Sequence, residues 1–272
     1  MKLVFDKRVL EYQGTLGNPQ RLILAYNYLK DKFKFIKPEI KIKEPIAHSK
    51  ELVNKVKTRN FFNSDSPAYE NIYDYAILAI NGAIKAQEIQ GLSIIEPPGH
   101  HAGKNFLGGF CYFNNIAEAV YRSKLKTIIL DIDGHHGNGT QDIFYNSKNV
   151  FYVSLHQSPA YPGTGYESKN NILNYPLKKD CGEKIYIKTL EYAIEKASKN
   201  FKFKQIAVSA GFDTYQGDLV SLGLNEKSYY KIGNIIKNLA EKTNSRVFSV
   251  LEGGYTKTLG SLIHNFILGL EK

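Results

Sequence analysis

The sequence has few of the features that mark secreted or membrane proteins. Its two cysteines, Cys111 and Cys181, are too few for a disulfide framework of the kind that stabilises small extracellular domains. No apolar run reaches the roughly 20 residues that span a bilayer. Residues 1–6 place a carboxylate, Asp6, where a signal peptide has its apolar core. These absences predict a soluble, cytoplasmic protein.

Acidic residues are scarce relative to basic ones. The 272 residues include 36 Lys and Arg against 26 Asp and Glu, which gives a formal net charge of +10. Residues 1–60 hold 14 of the basic side chains and 6 of the acidic ones. A basic flank can attract nucleic acid, but no nucleic-acid-binding motif accompanies this one. We therefore interpret the excess as lysine-rich, solvated helix faces, and nucleic-acid binding stays open.

The sequence does contain a regular alternation of short apolar strands and amphipathic helices. The predicted strands are residues 2–5, 39–42, 92–96, 127–132, 150–155, 172–177, 205–210 and 246–251. The predicted helices are residues 19–32, 67–90, 114–123, 183–199, 226–242 and 259–270, with Ser66 capping the second helix and Gly91 ending it. This alternation predicts an α/β fold with a mostly parallel sheet between helices. No repeat or linker interrupts it, so we expect one domain, residues 1–272.

Polar, glycine-rich segments follow five of the predicted strands. Because functional groups of parallel α/β sheets collect at the carboxyl ends of the strands, we expect these segments to build one site together. The segments are residues 96–102, 131–139, 158–165, 211–213 and 251–255.

The segment after the fourth strand carries the richest chemistry. Asp131, Asp133 and His135 alternate along it, so that in an extended chain their side chains share a face. Two carboxylates and an imidazole suit zinc or a similar first-row ion. Asp213, at the end of another strand, is the best candidate for a third ligand beside Asp133 and His135.

Two further segments supply acid–base groups. His100 and His101 are adjacent on a Pro-Pro-Gly turn, where one imidazole can move a proton and the other can stabilise developing charge. Tyr255 follows Gly253 and Gly254, and a phenol hydroxyl placed there can donate a hydrogen bond to an oxyanion.

Taken together, these motifs resemble the zinc-dependent histone deacetylase and acetylpolyamine amidohydrolase superfamily. The similarity runs from residue 18 to Tyr255. It is carried by Pro97-Pro-Gly-His-His-Ala102, Gly109-Phe-Cys-Tyr112, Asp131-Ile-Asp-Gly-His-His-Gly-Asn-Gly139, Val153-Ser-Leu-His156, Gly211-Phe-Asp213 and Glu252-Gly-Gly-Tyr255. The resemblance implies a three-layer, arginase-like α/β fold with a central eight-stranded sheet. It also implies a zinc-dependent deacetylase that hydrolyses the amide of an acetylated amine through a metal-bound water.

The resemblance assigns a role to each matching residue. It implies one zinc ion, with Fe2+, Co2+ or Mn2+ as alternatives, on Asp133, His135 and Asp213. The implied catalytic residues are His101 as general base and acid, His100 with its partner Asp131, Asn138 orienting His101, and Tyr255 polarising the carbonyl. The implied substrate-binding residues are Asp65 at the rim, Gly109, Phe110 and Tyr161 in the tunnel wall, and Arg21 in an inner channel. A potassium ion is implied at Asp131, Asp133, His135, Ser154 and Leu155.

Three positions depart from common family patterns. Asn138 stands where many nuclear members have Asp, Glu96 stands where Arg is common, and Val220 stands where one polyamine-selective branch has a gatekeeper Glu. The substrate therefore stays open between protein acetyl-lysine and an acetylpolyamine or another small acetylated amine. A ureohydrolase of the related arginase fold would need a two-metal site with further carboxylates near His135, and residues 136–138 supply none. A catalytically silent, metal-bound scaffold with a basic, nucleic-acid-facing surface is the non-enzymatic alternative.

Overall fold

The computed structural model describes residues 1–14 and 19–271, so Asn18, where the resemblance begins, lies outside them. The described strands form one sheet, and every pairing in it is parallel. The sheet order is β2-β1-β3-β8-β7-β4-β5-β6. The strands are β1 (Leu3–Val4), β2 (Phe35–Ile36), β3 (Leu92–Ser93), β4 (Thr127–Asp131), β5 (Val150–Gln157), β6 (Ile172–Leu177), β7 (Gln205–Ala210) and β8 (Arg246–Leu251).

Helices form a layer on each side of this sheet. One layer consists of α1, α6, α7 and α8, and the other of α2, α3, α4 and α5. The predicted three-layer α/β architecture is therefore confirmed. The helices are α1 (Gln20–Leu29), α2 (Lys50–Thr58), α3 (Ile72–Ile89), α4 (Asn115–Ser123), α5 (Asn138–Phe144), α6 (Glu183–Asn200), α7 (Glu226–Thr243) and α8 (Leu259–Glu271). None of the described helices is long and apolar enough to cross a membrane.

One predicted strand is wrong. Residues 39–42 are not a strand, and the edge of the sheet is formed earlier in the chain, by β2. The backbone amides of Lys41 and Ile42 both donate to Asn81 Oδ1 on α3, each at 2.9 Å. A helix side chain thus satisfies backbone groups that a sheet would otherwise pair.

The start of α3 also differs from the prediction. The helix begins at Ile72 instead of residue 67, and Ser66 does not cap it. Ser66 is buried, with its amide bonded to Asn63 Oδ1 at 2.8 Å. Tyr112 donates its hydroxyl hydrogen to Pro67 O at 2.6 Å. The segment before α3 is therefore held by the loop that contains Tyr112. The helix ends where predicted, with a left-handed Gln90 immediately before Gly91.

The sheet order explains how the five polar segments meet. Strands β3, β8, β7, β4 and β5 are consecutive neighbours, and each of the five segments follows one of them. Because all five strands run in the same direction, the segments lie along one edge of the sheet. Beneath them, the strands are almost entirely buried, as in Thr127–Asp131 and Gln205–Ala210. This rigid core fixes the base of the site.

Candidate active site

Three potential metal ligands come together between β4 and β7. Asp133 and His135 follow β4, Asp213 follows β7, and one ligand atom from each lies within 4.8 Å of the others. His135 Nδ1 is 3.1 Å from Asp133 Oδ1 and 2.8 Å from Asp213 Oδ2. The sequence pattern predicted that Asp133, His135 and Asp213 form a group. The three side chains meet because β4 and β7 are neighbours in the sheet.

The local hydrogen bonds leave this group ready for a cation. Asp133 Oδ2 accepts the Gly253 amide at 2.7 Å, and Asp213 Oδ1 accepts the Gly134 amide at 2.8 Å. These bonds orient both carboxylates. Asp213 Oδ2 is buried and has His135 Nδ1, at 2.8 Å, as a close polar neighbour, so both atoms face the space that a cation would occupy. Two carboxylates and one imidazole at this spacing fit a divalent ion such as zinc.

The electrostatics of the group point the same way. Burial and the nearby charge of Asp133 raise the pKa of Asp213 to about 6. Burial opposes a charge on His135, but Asp213 and Asp133 overcome it and raise the pKa of the imidazole to about 10. Two adjacent buried carboxylates thus favour a positive charge between them, and a divalent cation would supply it.

His100 lies beside this group and is paired with Asp131. Its Nδ1 is 3.1 Å from Asp131 Oδ2, which also accepts the Tyr152 hydroxyl at 2.8 Å. Burial opposes the charge, but Asp131, Asp133 and Glu252 raise the pKa of His100 to about 10. His100 is therefore an imidazolium near neutral pH. It can act electrostatically on negative charge that develops nearby.

His101 has the opposite electrostatic environment. Its Nδ1 is 2.8 Å from Asn138 Oδ1, and its ring centroid is 4.0 Å from that of His100. Burial and the positive charges of His100 and His135 hold the pKa of His101 well below its usual value. A neutral His101 that donates to Asn138 from Nδ1 has a lone pair on Nε2. It can accept a proton there.

Tyr255 closes another side of the site. Burial raises the pKa of its hydroxyl well above the usual range, so the phenol keeps its proton. The Arg21 guanidinium carbon lies 4.8 Å from the centre of its ring. Arg21 itself is 2% exposed and does not line the cavity, although it contacts the lining residue Tyr255. Its predicted place in a substrate-binding channel remains a prediction.

A cavity of about 210 Å³ leads to this group of residues. Its lining includes the predicted wall and rim residues Gly109, Phe110, Tyr161 and Asp65. The Tyr161 ring centroid is 5.0 Å from that of His101. Gly109 has φ of +55°, and a Cβ atom there would lie 2.5 Å from His101 Cδ2. Only glycine allows the wall to approach the imidazole so closely. A larger groove, of about 910 Å³, lies between α6 and α7, away from these groups.

The residues predicted to hold a potassium ion lie on adjacent strands. Asp131 on β4 pairs in register with Ser154 on β5, and both are fully buried, as is Leu155. The Ser154 hydroxyl is 2.9 Å from His156 Nδ1. The structure therefore places Asp131 and Ser154 side by side on neighbouring strands, with Leu155 the next residue along β5. The ion itself stays a prediction.

Two supporting groups had no predicted role. Glu252 accepts the amides of Gly99 and His100 at 2.8 and 3.1 Å and so fixes the turn that carries both histidines. Burial outweighs the effect of His100 and raises the pKa of Glu252 to about 7. Because Glu252 belongs to the Glu-Gly-Gly-Tyr motif, the sequence could have identified it as a residue of the site. The second group is His48, whose Nδ1 lies 2.7 Å from Gly103 O. No motif in the sequence identified His48 as a supporting residue.

Comparison with known proteins agrees with this arrangement. The family model described as histone deacetylase domain matches residues 18–269. A probable deacetylase of Archaeoglobus fulgidus is 33% identical over 93% of this chain and 81% of its own length. An acetylpolyamine amidohydrolase of Mycoplana ramosa is 35% identical over 71% of this chain and 60% of its own. The crystal structure of the HDA15 HD domain superposes with a TM-score of 0.89 at 28% identity, covering 100% of this chain and 91% of that one.

Proposed function

The chain belongs to the histone deacetylase family, and we propose that it deacetylates lysine side chains using zinc held by Asp133, His135 and Asp213. As a family member it is a hydrolase that acts on acetylated amines. One observation carries the finer proposal. Two members of a three-ligand group, a neutral imidazole and an un-ionised phenol line one cavity together.

The proposed chemistry divides between the cation and the side chains around it. A bound zinc ion would polarise the amide carbonyl and lower the pKa of water. His101 accepts a proton from the attacking water at Nε2, while its Nδ1 hydrogen is held by Asn138 Oδ1 at 2.8 Å. His101 then returns this proton to the leaving amine nitrogen. The charged His100 stays protonated against Asp131 and stabilises negative charge that develops nearby.

Tyr255 is the proposed hydrogen-bond donor to the oxyanion. Its raised pKa keeps the donated hydrogen on the phenol throughout turnover. A single donor of this kind is worth about 3–4 kcal/mol in the transition state. Tyr255→Phe should therefore lower kcat by about 10²–10³-fold with little change in metal content.

The mouth of the cavity favours an acetyl-lysine. Leu219 is 54% exposed and lines the cavity, whereas Val220, at the gatekeeper position of the resemblance, is buried against Gly134. Together with Tyr161 and Phe110, Leu219 gives the cavity apolar walls that suit the alkyl stem of lysine. Acetylpolyamine remains the second candidate, because the Asp65 carboxylate also lines the cavity and could attract a cation.

The test compares two substrates on protein of measured metal content. An acetyl-lysine peptide and a monoacetylated polyamine are each offered to the wild type and to Tyr255→Phe, with and without a chelator. We expect chelator-sensitive acetate release, a higher kcat/KM for the peptide, and restoration by zinc after chelation. No release from either substrate by metal-loaded wild type would refute the proposed activity. Better restoration by Fe2+, Co2+ or Mn2+ would refute the choice of zinc.

Leu219→Glu gives a second test of substrate class. With a peptide that has blocked termini and no other Lys or Arg, a carboxylate at this exposed position should raise kcat/KM for the acetylpolyamine and not for the peptide, because only the polyamine then carries further positive charges. The isosteric variant Leu219→Gln controls for loss of the apolar side chain. Faster turnover of the polyamine than the peptide by the unmodified protein would reverse the assignment.

A further inference from the structure

Glu96 is a buried acid in the turn that carries the two catalytic histidines. It follows β3, and its side chain is 1% exposed. It forms an ion pair with Arg21, whose side chain is also 1% exposed. The mechanism outlined above uses neither charge. A buried pair of full charges therefore lies next to the active site, and neither the mechanism nor the predicted channel role of Arg21 explains why it is paired with Glu96.

Arg21 connects this pair to the loop that carries Tyr255. Its Nη1 donates to Gly254 O at 2.8 Å, and its Nη2 donates to Glu252 O at 3.0 Å. The guanidinium also lies 4.8 Å from the Tyr255 ring. The carbonyl groups of Glu252 and Gly254 and the ring of Tyr255 therefore all contact the Arg21 guanidinium.

Asp218 also holds this loop through hydrogen bonds. Its Oδ2 accepts the amides of Tyr255 and Thr256 at 2.8 and 3.1 Å. The loop is therefore held by two side chains, with its carbonyls bonded to Arg21 and its amides bonded to Asp218. The strands that lead into the two loops, β3 and β8, are neighbours in the sheet, so the ion pair ties the histidine turn to the tyrosine loop.

Because the Arg21 guanidinium is buried, its position depends on its charged partner, Glu96. Burial lowers the pKa of Arg21, which means that its surroundings disfavour the cation despite nearby acids. A guanidinium that loses a buried partner must find another acceptor or admit water. Either response would move it relative to Gly254 and Tyr255, and displacements of about 1 Å at a catalytic group are enough to slow turnover by about a hundredfold.

We propose that Glu96 is a positioning residue that places the Tyr255 hydroxyl, acting through its buried ion pair with Arg21. The inference depends on the proposed role of Tyr255 in catalysis. It also assigns a role to Glu96, which precedes Pro97-Pro98 at a position where Arg is common in the family.

The test is a double-mutant cycle between Glu96 and Tyr255. Glu96→Gln keeps the shape and removes the charge. We expect it to lower kcat by about tenfold to a hundredfold, with KM changed less than about twofold and metal content unchanged. In the Tyr255→Phe background the same substitution should cause no further loss, because the group that it positions is already gone. Glu96→Asp, which keeps the charge, should retain an intermediate kcat.

The matched control is Glu39→Gln, which removes an exposed acid 3.4 Å from Lys41 and should leave kcat unchanged. An unchanged kcat in folded, metal-loaded Glu96→Gln would overturn the inference, as would an equal loss in the Tyr255→Phe background. Should Glu96→Gln not fold, Arg21→Lys enters the same cycle with the same expectation. Failure of the proposed function has a different signature, since the wild type would then be inactive or Tyr255→Phe fully active.

Discussion

We expect the buried imidazole of His48 to make the free energy of unfolding depend on pH. Its Nδ1 is 2.7 Å from Gly103 O, and its Nε2 accepts the Asn114 amide hydrogen at 2.8 Å. This pair of bonds requires the neutral imidazole with its hydrogen on Nδ1. Burial lowers the pKa of His48 to about 4, against smaller opposing effects of the Gly103 carbonyl and Asp142.

The sign of the effect follows from the two pKa values. The unfolded chain binds a proton at His48 near pH 6.5, whereas the folded protein does so only near pH 4. The stabilisation is therefore fully present above pH 6.5 and is lost as the pH falls through this window. A pKa lower by about 2.5 in the folded state corresponds to about 3.4 kcal/mol.

His48→Gln tests this directly, because a glutamine can donate to Gly103 O and accept from the Asn114 amide without titrating. The free energy of unfolding is measured by urea titration of metal-free protein between pH 7 and pH 4. We expect the variant to cost about 1 kcal/mol at pH 7 and to lose about 3 kcal/mol less than wild type on acidification. His48→Ala should be less stable throughout but share the flatter response. Parallel losses in wild type and His48→Gln would refute the reasoning.

Three further predictions concern the active site. Asp213→Asn should reduce bound zinc below one equivalent, measured by elemental analysis after dialysis, because a buried ligand oxygen loses its charge. Gly139→Ala should cost about 1–3 kcal/mol of stability in urea titration and also lower kcat, since its Cβ would lie 2.3 Å from the Ala102 carbonyl carbon. Asn138→Asp should raise the acidic pKa in the pH profile of kcat/KM by about one unit or more, because a full charge would face His101 Nδ1. An unshifted profile would mean that residue 138 does not contact His101 during turnover.

The sequence by itself determined the fold class and the composition of the site. Strand periodicity is a local property, so seven of the eight strands among the described residues could be placed from their apolar residues alone. The glycine-rich segments after the strands were equally local, and they contain His100, Asp133 and Asp213. Parallel strand order is enough to bring such segments to one edge of the sheet, which is why the metal group could be predicted before its geometry was known.

Only the tertiary structure decided which side chains support that site. Arg21 and Gly254 are 233 residues apart in the chain and form a hydrogen bond, and Glu96 joins them from a third segment. In the loop after Asp213, packing against Gly134 buries Val220 and turns Leu219 toward the cavity. Periodicity carries no information about such contacts, because they depend on how loops from distant strands pack against one another.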